Sequence, residues 1–302
     1  MEYIRESNMN VTTGFTLEML EKAIITKEVF CAKALIYENP KGLYFNLNGI
    51  RGIMPKDQVL FTLDGSDTKD AAVITRINKN VCFEVTGIEY TPEAVAILSR
   101  KNVQQKIYND YILSLIPGDV IPCCITHVDS FGVFCDIGYG ITALLPIDFI
   151  SVSRINSPAD RFYAGQNILA CIKSISPNGK IVLTHKELLG TWLENAKLFT
   201  PHTTVKGIVR SIEDYGVFIE LSPNLAGLAE VSQDVAVGDV VNVYIKSILP
   251  DKMKVKLVIL NKENNTAYNT EPHYFITEGH IDHWRYSTDS GIKNIFTDFD
   301  NY

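Results

Sequence analysis

Short runs in which apolar and polar residues alternate make up most of the chain, and glycine, proline, asparagine and aspartate separate them. The period of two, together with frequent Val, Ile and Phe, predicts strands. About five such runs recur in each of three stretches, with few helical segments between them. Closing five short strands into a barrel removes the unpaired strand edges. The sequence therefore predicts an all-β fold of three tandem five-stranded barrels joined by short helices.

The three stretches are internal repeats. Segments 39–57, 129–148 and 213–232 each contain a glycine and, 10, 11 and 11 positions later, a small residue that opens a second apolar run. Segments 166–183 and 239–257 both contain I-K-S-I, then a proline, a turn and a basic strand. The second and third repeats match closely, whereas the first is degenerate.

Three segments have helical character. Residues 16–27 place apolar side chains at helical spacing behind Thr16, a suitable N-cap. Residues 101–115 and 187–198 predict connecting helices, and residues 264–302 predict a small helical appendage or a partly ordered tail. The predicted domains are an N-terminal helical segment at 1–28, a degenerate barrel at 29–104, barrels at 116–188 and 200–262, and an appendage at 263–302.

Composition and charge predict a cytoplasmic protein. Hydrophobic residues make up 46% of the chain and no run approaches the roughly 20 apolar residues of a membrane helix. Residues 1–10 carry charges where a secretory signal would be apolar. The net charge of −7 argues against binding nucleic acid by bulk positive charge. However, residues 264–302 hold two basic and six acidic residues, so more than half of the negative excess lies outside the barrels.

No catalytic or cofactor-binding motif is present, so the sequence predicts neither an enzyme nor a cofactor. The six cysteines lack paired C-x-x-C spacing and are predicted to be reduced, buried thiols rather than zinc ligands: Cys31, Cys82, Cys123, Cys124, Cys135 and Cys171.

A run of three histidines, His273, His280 and His283, permits two interpretations. One is a metal site, for which the segment lacks a convincing fourth ligand. The other, which we favour, is an apolar cluster against the third barrel or a partner, formed with Tyr274, Phe275, Trp284 and Tyr286.

Two stretches carry a resemblance to a known family. Residues 118–138 contain G-D-V, then V-D-S-F-G-V-F-x-D-I-G, and residues 205–221 read V-K-G-I-V-R-S-I-E-D-Y-G-V-F-I-E-L. Both resemble the S1 RNA-binding domain, an oligonucleotide-binding barrel named for a protein of the bacterial small ribosomal subunit. The resemblance covers about residues 118–260. A chain of such barrels without a catalytic domain is similar to the short ribosomal members of this family.

The resemblance implies that RNA lies on the aromatic residues flanking each glycine, which are Phe131 and Phe134, and Tyr215 and Phe218. An exposed ring offers an unpaired base a stacking surface worth roughly 1–3 kcal/mol. From the residues alone, rings that fill the barrel core are an equal alternative. Placing both Phe131 and Phe134 outside is expected to need a bulge at Gly132.

Basic residues near these rings are candidate phosphate contacts. The resemblance implies one in the turn before the last strand, where Lys180 and Lys254 stand. Lys256 is predicted to share the strand face of Lys254, although a solvated surface lysine is a close alternative. Arg210 and His127, on the first strands just before the aromatic turns, are supplementary candidates.

Departures from the family pattern weaken this interface. Pro146 and Glu230 replace a histidine that the family often has, and neither can bind a phosphate as histidine would. In the first repeat the aromatic positions hold Lys41 and Tyr44, which predicts a barrel without an RNA face. In the family, leading barrels dock on the ribosome. We expect the same here, with residues 16–55, which end at Pro55 in the histidine position, as the docking region.

The sequence thus predicts a non-enzymatic, monomeric RNA-binding protein that acts in translation. It would bind single-stranded, pyrimidine- or AU-rich mRNA and associate with the small ribosomal subunit through its N-terminal region, without contact to a membrane. Two alternatives remain open. One is an RNA-binding regulator away from the ribosome, in RNA decay or a stress response. The other is a protein-interaction scaffold with weakened RNA sites.

Overall fold

The computed structural model describes residues 4–90, 92–232, 234–263, 272–289 and 294–300. The chain divides into two compact units. The first extends to Leu115 and includes Cys135–Ala143 and Ser176–Lys180. The second comprises Ile116–Phe134, Leu144–Ile175 and the residues from Ile181 onward.

The first barrel belongs to the first unit and closes in the order β1-β2-β3-β5-β4. Only the pair β3–β5 is parallel among its described pairings. Phe30, Phe45 and Phe83 pack ring against ring inside it. Its strands are β1 (Phe30–Glu38), β2 (Gly42–Leu47), β3 (Ile50–Met54), β4 (Asn80–Tyr90) and β5 (Ala94–Ser99).

Three helices accompany this barrel: α1 (Leu17–Thr26), α2 (Asp70–Ile74) and α3 (Arg100–Asp110). The predicted helix at 16–27 is confirmed, since the Thr16 hydroxyl accepts a hydrogen bond from the Met19 N–H at 3.2 Å and caps α1. The helix predicted over 101–115 is shorter than expected. Tyr111 leaves the helical conformation, and a single 3-10 turn, Ile112–Ser114, follows it.

A buried ion pair fixes the N-terminal segment within the first unit. Arg100 is fully buried and donates to both carboxylate oxygens of Glu6, at 2.7 and 2.8 Å. Burial alone would raise the pKa of Glu6, but Arg100, together with Arg76 and the Cys82 N–H, more than offsets this and holds that pKa below its usual value. The Glu6 N–H donates to Asp136 at 2.7 Å, so the segment is tied down on both sides.

The second barrel closes in the order β10-β8-β7-β6-β9, which is the same cyclic order as in the first. Gly118 precedes it, and the loop between β8 and β9 contains two 3-10 turns. Its strands are β6 (Val120–Asp129), β7 (Gly132–Asp136), β8 (Thr142–Pro146), β9 (Asn167–Ile175) and β10 (Ile181–Thr184).

The third barrel repeats this topology in the order β11-β12-β13-β15-β14 and confirms the predicted fold class. The connecting helix predicted over 187–198 is reduced to α4 (Trp192–Ala196), because a capping box of Thr191 and Glu194 starts the helix there. The strands are β11 (Thr204–Glu213), β12 (Gly216–Ser222), β13 (Leu225–Ala229), β14 (Val240–Leu249) and β15 (Lys254–Lys262).

The described part of the C-terminal segment forms a two-stranded sheet of β16 (His283–Arg285) and β17 (Phe296–Asp298). The predicted helical appendage is therefore wrong for these residues. Trp284 and Tyr286 are buried in one apolar cluster with the third barrel, and the Tyr286 hydroxyl donates to the Asn224 carbonyl at 2.6 Å. The predicted apolar cluster against the third barrel is confirmed for Tyr274, Trp284 and Tyr286.

All six cysteines are free and buried, as predicted. Across the residues that the structure describes, no helix combines the length and apolarity needed to cross a membrane.

Candidate nucleic-acid interface

The same pair of aromatic rings stands on the second and third barrels. In each, a two-residue turn joins the first two strands, and its second residue, Phe131 or Tyr215, is 49% or 69% exposed. Phe134 and Phe218 follow on β7 and β12, half-buried. The ring centroids lie 5.9 and 6.1 Å apart, and the rings are perpendicular in both pairs. The rings face outward, so the alternative that they fill the barrel cores does not hold.

The glycine between each pair of rings lets the neighbouring strand approach closely. A Cβ on Gly132 would lie 2.5 Å from the Leu145 carbonyl oxygen, and one on Gly216 would lie 2.5 Å from that of Ala229. The predicted bulge at Gly132 is unnecessary, because Phe131 lies in the turn rather than in β7.

His127 extends the aromatic pair of the second barrel. Its exposed ring stacks beside Phe134 with centroids 6.3 Å apart and planes 24° apart. Counted back from the glycine, His127 occupies the position of Ser211 in the third barrel, and Ser211 pairs directly with Phe218. The second barrel thus presents a row of three rings: Phe131, Phe134 and His127.

The third barrel places Phe218 in the same register row as a lysine. Along one register row, Ser211 pairs with Phe218, Phe218 with Leu228, and Leu228 with Lys256. Lys256 therefore stands two strands from Phe218, roughly 10 Å across the sheet. Lys254 and Lys256 are both exposed on β15 with buried Val255 between them, so the predicted shared face is confirmed.

These side chains line an open groove of about 1110 Å³ on the third barrel. Sequence reasoning missed three of its basic residues, Lys246, Lys252 and Arg154. Lys246 belongs to the repeated I-K-S-I motif, and Lys252 lies in the turn before β15. Both positions could therefore have been found from the repeat pattern. No sequence pattern pointed to Arg154, because it lies in a loop of the second barrel while the groove lies on the third. Glu213 and Glu230 also line the groove and oppose the positive charge.

Arg210 lines the same groove, but its charge is balanced by carboxylates. Its guanidinium donates to both oxygens of Glu220, at 2.9 and 3.2 Å, and lies 3.4 Å from Asp160. Only 10% of its side chain is exposed. We therefore leave Arg210 out of the interface that we propose below.

Lys180 is exposed at the end of a tight turn, where its N–H donates to the Ser176 hydroxyl at 3.0 Å. It corresponds to Lys254 of the third barrel. The position of Lys256 is taken by Val182, since Val182 pairs with Ser174 as Lys256 pairs with Ser247. The last strand of the second barrel is thus less basic than that of the third.

The first barrel carries a different surface at the equivalent row. Tyr44 is only 7% exposed, and the Arg51 guanidinium covers its ring at 4.4 Å. Its row continues through isoleucines, with Ile36, Ile53 and Ile97 in register. This row offers no open ring for a base to stack on.

In the described part of the chain, no group of three or more His, Cys, Asp or Glu side chains could hold a metal ion. His280 is instead bonded to Asp119 at 2.7 Å, and His283 stacks on Phe296.

Residues 114–186 match the family model of the S1 RNA binding domain. The second barrel is an S1 domain. The row of Phe131, Phe134 and His127 therefore lies on a domain of a known RNA-binding family.

Two curated relatives extend the similarity beyond the S1 domain. The chain is 29% identical over 235 residues to the small ribosomal subunit protein bS1 of Leuconostoc lactis, covering 72% of this chain and 52% of the relative. It is 28% identical over 258 residues to the small ribosomal subunit protein bS1 homolog of Bacillus subtilis, covering 82% and 63%. The chain thus spans between half and two thirds of the length of these relatives.

Among solved structures, a multidomain protein with nucleic acid binding domains from Streptococcus pneumoniae aligns with 80% of this chain and 76% of its own. The identity is 12% and the TM-score is 0.27, too low to bear on fold or function.

Proposed function

We propose that this protein binds single-stranded RNA, in particular mRNA, through the aromatic pairs of its second and third barrels, and that it acts in translation as a monomeric, non-enzymatic protein of the cytoplasm. The observation that carries the proposal is the repeated pair of rings, Phe131 with Phe134 and Tyr215 with Phe218, on barrels of which one is an S1 domain. Stacking tolerates sequence because every base has a flat face.

The second and third barrels differ in how much base stacking and how much phosphate neutralisation they offer. The second offers three rings, and the third combines two rings with lysines that can neutralise phosphates. Two weak sites in one chain can gain roughly 10²-fold in apparent affinity when both reach one strand. We expect each barrel alone to bind RNA weakly and the two together to bind one RNA strand with much higher apparent affinity.

The first barrel is the proposed docking module for the small ribosomal subunit. Its covered Tyr44 and the isoleucine row support a role other than RNA binding. Leu35 and Ile36 are 45% and 56% exposed at adjacent positions of the same strand and add to the apolar surface that a partner would cover. The bS1 relatives are by name small-subunit proteins, which makes this subunit the partner to test first.

Pelleting with purified small subunits through a sucrose cushion tests the docking. We expect Leu35→Lys/Ile36→Lys to reduce the pelleted fraction at least fivefold, because the two charges would be buried against the partner. The matched control is Ile116→Lys, which changes an equally exposed isoleucine in the second unit. If the double variant pellets as well as the control, the first barrel is not the docking module. If the wild type stays in the supernatant, the protein works away from the ribosome.

A further inference from the structure

The groove on the third barrel is built from two barrels. One of its walls is a stretch of the loop between β8 and β9 of the second barrel, including Val152, Ser153, Arg154 and Asn156. The rest of its lining includes Tyr215, Phe218 and the lysines of the third barrel. A ligand that fills this groove would therefore touch both barrels.

The loop is held in place by bonds to the third barrel on both sides of Arg154. Before it, the Val152 N–H donates to the Asn224 side-chain oxygen at 2.9 Å, and the Ser153 N–H donates to the Pro223 carbonyl at 3.2 Å. After it, Arg161 donates to both carboxylate oxygens of Glu220, at 2.5 and 2.6 Å. Asn224 is fully buried and also donates to the Lys186 and Gly190 carbonyls, so this attachment is rigid.

Arg154 differs from the two other arginines of this region. The guanidinium groups of Arg161 and Arg210 are bonded to Glu220, and Arg210 also pairs with Asp160. Arg154 is exposed, and among the ion pairs between described residues none engages it. The loop thus presents a charged side chain to the groove, while Arg161 and Arg210 pair with the buried carboxylate of Glu220.

We infer that Arg154, supplied by the second barrel, is an RNA-binding residue of the third barrel, where it contacts the phosphate backbone of the strand that stacks on Tyr215 and Phe218. This inference rests on the proposed function and deepens it. A guanidinium matches a phosphate with two parallel hydrogen bonds, which a lysine cannot reproduce. Lys246, Lys252, Lys254 and Lys256 line the same groove, so the strand would meet cations from both barrels.

The consequence is a composite site. The third barrel reaches its full affinity only when the loop of the second barrel is attached to it. The bonds that hold the loop to Pro223, Asn224 and Glu220 then serve RNA binding by positioning Arg154.

Fluorescence titration of a labelled single-stranded oligouridine against the full chain tests this inference. Phe131→Ala/Phe134→Ala is introduced throughout, so that binding reports the third barrel. In that background, Arg154→Gln is compared with Lys197→Gln, which removes one charge from an exposed residue of α4's C-cap outside the groove. We expect Arg154→Gln to weaken binding five- to tenfold and to reduce the slope of log K against log salt by about 0.7. Arg154→Lys should restore the slope but only part of the affinity.

Equal affinity and slope for Arg154→Gln and Lys197→Gln would overturn the inference, provided that Tyr215→Ala/Phe218→Ala still abolishes binding in the same background. That result would leave the proposed function intact. Absence of binding by the unmodified chain would defeat the proposed function and the inference together, so the two failures are distinguishable. Circular dichroism of each variant checks that the exposed substitutions leave the fold unchanged.

Discussion

Phe134 and Phe218 occupy the same position in their barrels but have different neighbours. Phe134 lies between Phe131 and His127, whereas Phe218 lies in register with Leu228 and Lys256. Stacking energy depends little on salt, while phosphate contacts release counterions. We therefore expect binding by the second barrel to be less sensitive to salt than binding by the third.

The buried histidine of the second barrel gives a pH-dependent stability. His185 donates from Nδ1 to the Ile150 carbonyl, and its Nε2 accepts from the Tyr274 hydroxyl. Burial, with a smaller effect of Arg161, lowers the pKa of His185 to about 4. In the unfolded chain its pKa is about 6.5. Between pH 6.5 and pH 4 the unfolded state thus binds a proton that the folded state does not, and stability falls as the pH drops.

Urea unfolding at pH 7 and pH 5 measures this effect. Between pH 7 and pH 5 we expect the free energy of unfolding of the wild type to fall by about 2 kcal/mol more than that of His185→Asn. Asparagine can keep the bond to the Ile150 carbonyl but does not titrate. The variant itself is expected to be less stable at pH 7. An equal loss in both proteins would show that His185 does not titrate between the folded and unfolded states as described.

For single residues, the sequence predicts which side chains are exposed where their own repeat decides that exposure. The positions of Phe131, Tyr215 and Lys256 follow from the glycine and from strand alternation. Arg210 does not correspond to His127 in register, because it lies one residue farther from its glycine, at a bulge opposite β12. There it meets Glu220 and Asp160, and no local pattern reports contacts made across two barrels.

At the level of elements, the hairpin glycines decide whether the strands can pair. The Cβ that Gly132 lacks would meet a backbone oxygen of β8, which cannot move without breaking the strand pair. A Cβ on Gly87, in β4 of the first barrel, would have no atom within 4 Å beyond its chain neighbours. The two glycines therefore form a matched pair for substitution.

We expect Gly132→Ala to lower the free energy of unfolding by about 2–3 kcal/mol, since the backbone must shift to admit the methyl group. Gly87→Ala is expected to change it by less than about 1 kcal/mol. Chemical denaturation followed by circular dichroism compares the two. If Gly132→Ala leaves the free energy of unfolding unchanged, the second barrel tolerates a wider spacing between β7 and β8 than the structure has.

The strands were predictable because three copies of one pattern reinforce one another, while the helices were less so. The predicted connector at 187–198 contains Gly190, which adopts a positive φ of 77°, and the helix can start only at the capping box after it. The C-terminal strands β16 and β17 are three residues each, too short for alternation to be visible. Their formation depends on burying Trp284 and Thr297 against the barrels, which sequence periodicity does not report.

At the scale of the whole molecule, the proposed division into a docking barrel and two RNA-binding barrels rests on one register row, which differs among the three barrels. In the first barrel the row holds the covered Tyr44 among isoleucines, in the second Phe134 stacks beside His127, and in the third Phe218 shares the row with Lys256. The composite groove could not be predicted from the sequence. It requires that a loop of one barrel lie against the face of the next, and the repeats describe only the barrels. The net charge of −7 is compatible with RNA binding because six of the 28 lysine and arginine residues of the chain line this one groove.

The central claim is that exposed aromatic pairs on two barrels hold single-stranded RNA. Titration of a labelled single-stranded RNA long enough to reach both barrels, against the full chain, tests it most directly. The variant is Phe131→Ala/Phe134→Ala/Tyr215→Ala/Phe218→Ala, and the control is Tyr163→Ala, which removes an equally exposed ring from a loop outside both sites. We predict that the four substitutions weaken binding at least 100-fold, since each stacked base contributes roughly 1–3 kcal/mol, and that the control binds as the wild type does. Equal binding by the variant and the control would contradict the account.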